Sequence, residues 1–181
     1  MANLAMLSEL FRHMEWADAQ VWRSVLASPQ VATDAVVRDR LFHVHLVQRA
    51  FLYIWRQRPP EFPERSSFPS VIAIASWGQQ CHAEIAQWLG AIDEAALERP
   101  VTIPWAEHVA DRFGQPAAPV TLAQTMLQVA WHSTHHRGQV NARLRELGGD
   151  PPLVDFLVWV WFGKPATNWP AVDADSRPVG V

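Results

Sequence analysis

Cysteine is almost absent from this chain of 181 residues: Cys81 stands alone, so no disulfide can close within it. A reducing cytoplasm is therefore the expected setting. Positive charge is scarce as well. Lys164 is the one lysine, and 15 basic residues face 18 acidic ones, for a net charge of −3. That balance gives no electrostatic ground for a nucleic acid or an anionic membrane as partner. No uninterrupted apolar run approaches the roughly 20 residues that cross a bilayer, and no charged-then-apolar leader opens the chain. Two metal signatures are missing too. No Glu lies three residues before any His, which argues against a ferritin-like di-iron site, and Ser133 stands where a His-Glu-x-x-His protease would carry its Glu. There is no internal repeat.

What is present reads as helix. Leu7, Leu10, Phe11, Met14, Ala17, Val21 and Val25 recur at steps of three and four, predicting a first helix over Leu4–Ala27 that Ser28-Pro29 ends. A second runs from an N-cap at Thr33 or Asp34 to Arg58, where Pro59-Pro60 stops it. After a Pro-containing loop, a third spans Ser70–Leu97 with Ile72, Trp77, Cys81, Ile85, Trp88 and Ile92 as its inner stripe. Arg99–Val120 holds several prolines and reads as an irregular excursion with a small hairpin. Thr121 then caps a fourth helix to Leu147, closed by Gly148-Gly149-Asp150-Pro151-Pro152. A short capping helix within Leu153–Phe162 follows. The expectation is an all-α four-helix bundle over residues 1–163 with an extended tail over 164–181. Ten tryptophans spread over most segments imply thick aromatic packing between the helices.

The most informative stretch is His132-Ser-Thr-His-His136-Arg-Gly-Gln139. Four residues turn a helix by only about 40° and raise it about 6 Å, so His132 and His136 leave one face a turn apart. Two imidazoles so placed can reach one ion. They fall in the gap between Val129 and Val140 and so are expected to point inward, with His135 outward. A third ligand must come from elsewhere. On the second helix His43 borders the stripe of Val44, Val47, Phe51 and Ile54, whereas His45 shares a wetter side with Gln48 and Arg49. His43 is the better ligand on that geometry; the plainer alternative is a set of interfacial histidines without metal. His13, His82 and His108 are weaker candidates, and Cys81 reads as a small buried thiol. Gly138 costs about 1 kcal/mol against Ala in a helix and implies close approach of a helix or ligand. Gln139 is placed to hydrogen-bond near the metal face, and Arg137 is as readily a surface charge as a functional one.

These pieces resemble the DinB-like (DinB/YfiT) superfamily of metalloenzymes over roughly residues 3–163. Met14-Glu15-Trp16-Ala17-Asp18 is similar to its first-helix Trp-Ala-Asn/Asp signature. Phe42-His43-Val44-His45-Leu46-Val47-Gln48-Arg49 is similar to its second-helix segment, with Gln48 where an acidic residue is common. His132 to Gln139 matches its strongest motif, and Gly148-Gly149, Pro152, Asp155 and Trp159 its closing segment. The resemblance implies an up-down-down-up bundle, a homodimer, and a divalent ion, zinc or nickel, held by His43, His132 and His136. It also implies a small-molecule substrate and a metal-dependent transferase that activates a low-molecular-weight thiol for attack on a small electrophile. The alternatives are a hydrolase using metal-bound water and a non-catalytic metal-binding stress-response module, whose site Glu15, Asp18 or Cys81 would close. No catalytic side chain is assigned.

Overall fold

Local capping chemistry sets where the helices begin. The structure, a computed structural model, describes residues 3–171. Helix α1 (Leu4–Leu26) starts at Asn3, whose side chain accepts the Met6 N–H. The short α2 (Pro29–Thr33) carries Pro29 in its first turn, so the proline expected only to end one helix also opens the next. Asp34 caps α3 (Ala35–Trp55) by accepting the Val37 N–H. Ser70 caps α4 (Val71–Leu89), and Thr121 with Gln124 forms a reciprocal capping box on α6 (Leu122–Glu146). Two boundaries differ from expectation. The third long helix ends at Gly90, and Asp93 then caps a separate 3₁₀ turn over Glu94–Glu98. The excursion before α6 contains a helix of its own, α5 (Ala106–Phe113), ended by Gly114 at φ 67°. Its two ends are clasped by antiparallel strands β1 (Pro100–Val101) and β2 (Val120–Thr121). A final turn, α7 (Phe156–Trp161), lies within the expected segment. The fold is all-α, with that two-strand ladder the sole sheet among the described residues.

Four long helices form a closed circuit: α1 touches α4 and α6, and α3 touches the same two. Along α3 and α6, Arg40 donates to the Gln139 carbonyl while Trp55 donates to Thr125, so the two helices run in opposite senses. Along α3 and α4, Phe42 stacks on Trp77 and Trp55 on Trp88, so these run in the same sense. The tryptophans therefore act as plates between helices. Ile72, expected inside, is 38% exposed; the buried face of α4 is Ala73, Ile74, Trp77, Gly78, Cys81, His82, Ile85 and Leu89.

The core comes in two halves. One gathers Leu7, Phe11, Phe51, Ile85 and Met126, and the other Val21, Trp22, Leu41, Ile74 and Val140. Between them on each long helix sits a buried polar residue: Asp18, His45 with Gln48, His82, and Ser133 with Arg137. At the C-terminal end, Lys164 pairs with Glu9 at 2.8 Å and Trp169 donates to Glu15, so the extended segment lies along α1.

Two helix-interior glycines have opposite roles. A Cβ on Gly78 would stand 2.3 Å from His45 Nε2, so only glycine lets α4 pass that ring. Gly138 has open space around its missing Cβ, so the close approach expected there is absent among the described residues. Gly78→Ala should therefore cost about 1–3 kcal/mol through overpacking. Gly138→Ala should gain up to about 1 kcal/mol from helix propensity. Chemical denaturation of both variants checks this; a destabilising Gly138→Ala would show that something approaches α6 there.

Candidate metal centre

His43 on α3 and His132 and His136 on α6 converge at the seam between those helices. Their ring centroids lie 5.0 Å (His43–His132), 4.7 Å (His43–His136) and 4.3 Å (His132–His136) apart. One ligand nitrogen from each lies within 4.8 Å of the others, a group that could hold a metal ion. The rings do not point into the core as expected: His43 is exposed and the other two half-buried. The buried path along α6 is Met126, Val129, Ser133, Arg137, Val140 and Leu144, which leaves His132 and His136 on its flank toward α3.

Donor and acceptor rules fix much of the chemistry. An amide oxygen only accepts, so the 2.8 Å contact from His136 Nδ1 to Gln139 Oε1 places a proton on Nδ1 and leaves Nε2 with a lone pair. Gln139 Nε2 donates in turn to His135 Nε2 at 2.9 Å, and Arg40 holds the backbone of Gln139 from across the seam. Gln139 thus does what its position suggested. His43 Nε2 faces His132 Nε2 at 3.1 Å. Two nitrogens bound to one tetrahedral ion at 2.0–2.1 Å lie about 3.3 Å apart, so this spacing suits a shared cation. Partial desolvation of its ring at the seam, reinforced by neighbouring His136, pushes the His43 pKa down although the residue as a whole is exposed. Burial first, then the rings of His136, His43 and His135, pushes His132 down to about 4. Both are then neutral at pH 7, as metal ligation requires. His132 Nδ1 is buried without a partner among the described residues, and the ring is held by packing and by what its Nε2 meets.

None of Glu15, Asp18 and Cys81 joins this group. Glu15 accepts from Trp169, Asp18 belongs to a different cluster, and Cys81 lies in an apolar one where burial pushes its thiol up to about 12. The histidines instead border a cleft of about 620 Å³ between α3, α6 and the excursion, with His43 and His132 in its wall.

A second group, Asp18, His45 and His82, also brings three potential ligands within 4.8 Å, all of them buried. His45 is 0% exposed, against its expected wet side. Trp22 Nε1 can only donate, so His45 Nε2 accepts it at 2.8 Å and the ring proton lies on Nδ1, facing Gln48 Oε1. Gln48 Nε2 is then free to donate to Asp18 at 2.7 Å and to Ser133 at 3.0 Å. Gln48 therefore serves His45 and not His43. His82 donates to Asp18 Oδ2, and Arg137 donates to Oδ1, both at 2.8 Å. Arg137 is 3% exposed, so it is no surface charge. With a guanidinium on Asp18 and the partnered ring nitrogens taken, this cluster is satisfied as a hydrogen-bonded layer. The histidine trio at the seam has no carboxylate or guanidinium among its partners, and one proton shared between His43 Nε2 and His132 Nε2 is what an ion there would displace. Elsewhere, His13 contacts the Val154 carbonyl at 2.9 Å, and His108 is exposed.

The family model described as DinB family matches residues 1–166. The chain belongs to the DinB family. No curated protein matches it. Within this DinB-family chain, Asp18 on the first helix and Arg137 on the last long one, five residues after His132, meet across α1 and α6 although 119 positions apart.

That pair should be costly to break. Burial alone would push the Asp18 carboxyl up, but Arg137 and His82 outweigh it and hold the group well below the usual carboxylate range. Asp18→Ala strands a buried guanidinium and should cost about 3–5 kcal/mol. Because the folded pKa is depressed, the contribution of Asp18 is present above about pH 4 and is lost as pH falls further, while the unfolded chain takes up the proton near 3.9. Urea melts of wild type and Asp18→Ala between pH 7 and pH 3 read this; equal acid slopes would remove Asp18 as the cause.

Proposed function

We propose that this DinB-family protein is a metal-dependent transferase. In this reading His43, His132 and His136 hold one divalent ion, zinc or nickel, and a low-molecular-weight thiol is activated there for attack on a small electrophile. The carrying observation is the convergence of three imidazoles from two helices at the mouth of a cleft, with no carboxylate or thiolate of the described residues closing the group. An ion so held lowers the pKa of a bound thiol, supplying thiolate at neutral pH. The chain's residues do the rest. Gln139 fixes the His136 tautomer so that Nε2 faces the centre, and Arg40 ties that turn of α6 to α3. The apolar wall of the cleft limits water at the reacting atoms. Cys81, buried with a raised pKa, is unsuited to be the nucleophile, so the nucleophile comes from outside.

The same reading takes the four long helices as the up-down-down-up bundle of the superfamily. It takes a second copy of the chain as partner and the cytoplasm as location. The senses of α3 against α6 and α4 support the first of these.

Purified without a histidine tag, the protein should carry about one divalent ion per chain by elemental analysis. His43→Ala, His132→Ala and His136→Ala should each lose most metal affinity, and Gln139→Ala about 10–100-fold. His135→Ala should lose little, and His45→Ala should lower stability instead. Metal-free protein that refuses added Zn²⁺ and Ni²⁺ would sink the assignment. For the chemistry, biological thiols offered with a model electrophile should react faster on metal-loaded than on stripped protein. The rate should rise with pH to a plateau below the free thiol's pKa of about 8.5, and Cys81→Ser should keep it. Equal rates in both preparations would rule the transferase out.

A further inference from the structure

The cleft beside the histidines has a chemical character of its own. Three aromatic side chains from three separate segments line it: Phe51 on α3, Phe62 on the loop after α3, and Trp105 at the start of α5. Trp105 meets Phe51 edge-on at 5.5 Å and Phe62 at 6.1 Å, so the three rings form one continuous wall. The lining contains no Asp, Glu, Lys or Arg among the described residues. Its polar atoms are mostly committed. The Thr125 hydroxyl accepts from Trp55 and donates to the Leu122 carbonyl, and Gln124 Oε1 accepts the Thr121 N–H. Gln128, one helical turn before His132, lines the cleft, and its side-chain amide has no hydrogen bond among the described residues. At about 620 Å³ the space suits a small organic molecule and not merely water.

Away from the ion proposed at His43 and His132, a carboxylate or phosphate entering here would give up water and find no charged side chain to pair with, which is costly. A neutral ring gains the aromatic wall. We propose that this cleft receives an uncharged, aromatic-ring-bearing reactant, the electrophile and not the thiol, with Phe51, Phe62 and Trp105 as its wall and Gln128 as its hydrogen-bonding partner. The assignment rests on the transferase reading for which reactant this is, but the binding preference can be measured apart from it.

The probes are 2-naphthamide and 2-naphthoate, alike in shape and different in charge, titrated against the full chain by fluorescence. Chelator is present, so that a carboxylate–metal contact cannot contribute. The amide should bind at least about tenfold tighter. Trp105→Ala should weaken the amide about tenfold and Gln128→Leu a few-fold, while Trp131→Ala, on the outer face of α6, should leave it unchanged. Val47→Lys should narrow or reverse the preference by supplying a cation, a gain that a misfolded variant could not show. Equal or tighter binding of naphthoate to wild type, or amide binding indifferent to Trp105→Ala, overturns the proposal. A chain that holds its metal and turns over thiol yet prefers naphthoate loses the cleft assignment alone. One that prefers the amide but holds no metal loses the transferase reading alone.

Discussion

A single buried carboxylate organises this protein. Asp18 receives hydrogen bonds from Arg137, His82 and Gln48, each on a different helix, and so ties α1 to α6, α4 and α3 at one level. An apolar contact there would tolerate sliding by a turn; a carboxylate with three named donors does not. The layer costs desolvation, and a well-packed apolar layer of the same volume could be as stable. What it supplies is register. Arg137 stands beside His136 and four residues before Asn141, so locking Arg137 onto Asp18 also sets the rotation of α6. That rotation decides which way His132 and His136 face.

The histidine trio depends on this arrangement and stands outside it. Its rings sit on the flank of α6 where α3 comes closest, half-sheltered, with Gln139 and Arg40 steadying one side and a cleft on the other. A site sunk in the polar layer would have no entry path. One fully on the surface would keep water around every ligand. The seam gives neutral rings at His43 and His132, a hydrogen bond that orients His136, and an approach from one side.

Much of this was legible in the chain. Asp34, one of the two N-caps read for its helix, and Thr121 start α3 and α6, and His43 joins His132 and His136. The difference is one of phase. On α6 the apolar residues Met126, Val129, Val140 and Leu144 leave a gap that His132 and His136 fit by hydropathy, whereas the i+4 path through it is Ser133 and Arg137. On α3 the stripe through Val44, Val47 and Phe51 stands out by hydropathy, and the one through Leu41, His45, Gln48 and Leu52 does not, although both are largely buried. A helix packed on two neighbours buries a wide arc, and hydropathy alone scores its polar members as outward. Polar residues at core phase on four helices at once were the available signal. The helix α5 was hidden because its surroundings are proline-rich and no residue of it is buried.

Cys81 carries a last consequence. Its sulfur lies at 0% exposure in the apolar half of the core, with proton loss made hard by that burial. Oxidants and alkylating agents in solution can reach it only when the helices part. The lone thiol is thus a built-in clock for global opening. Its rate of reaction with an added alkylating agent in native buffer reports how often that core opens, without a denaturant and without an introduced cysteine.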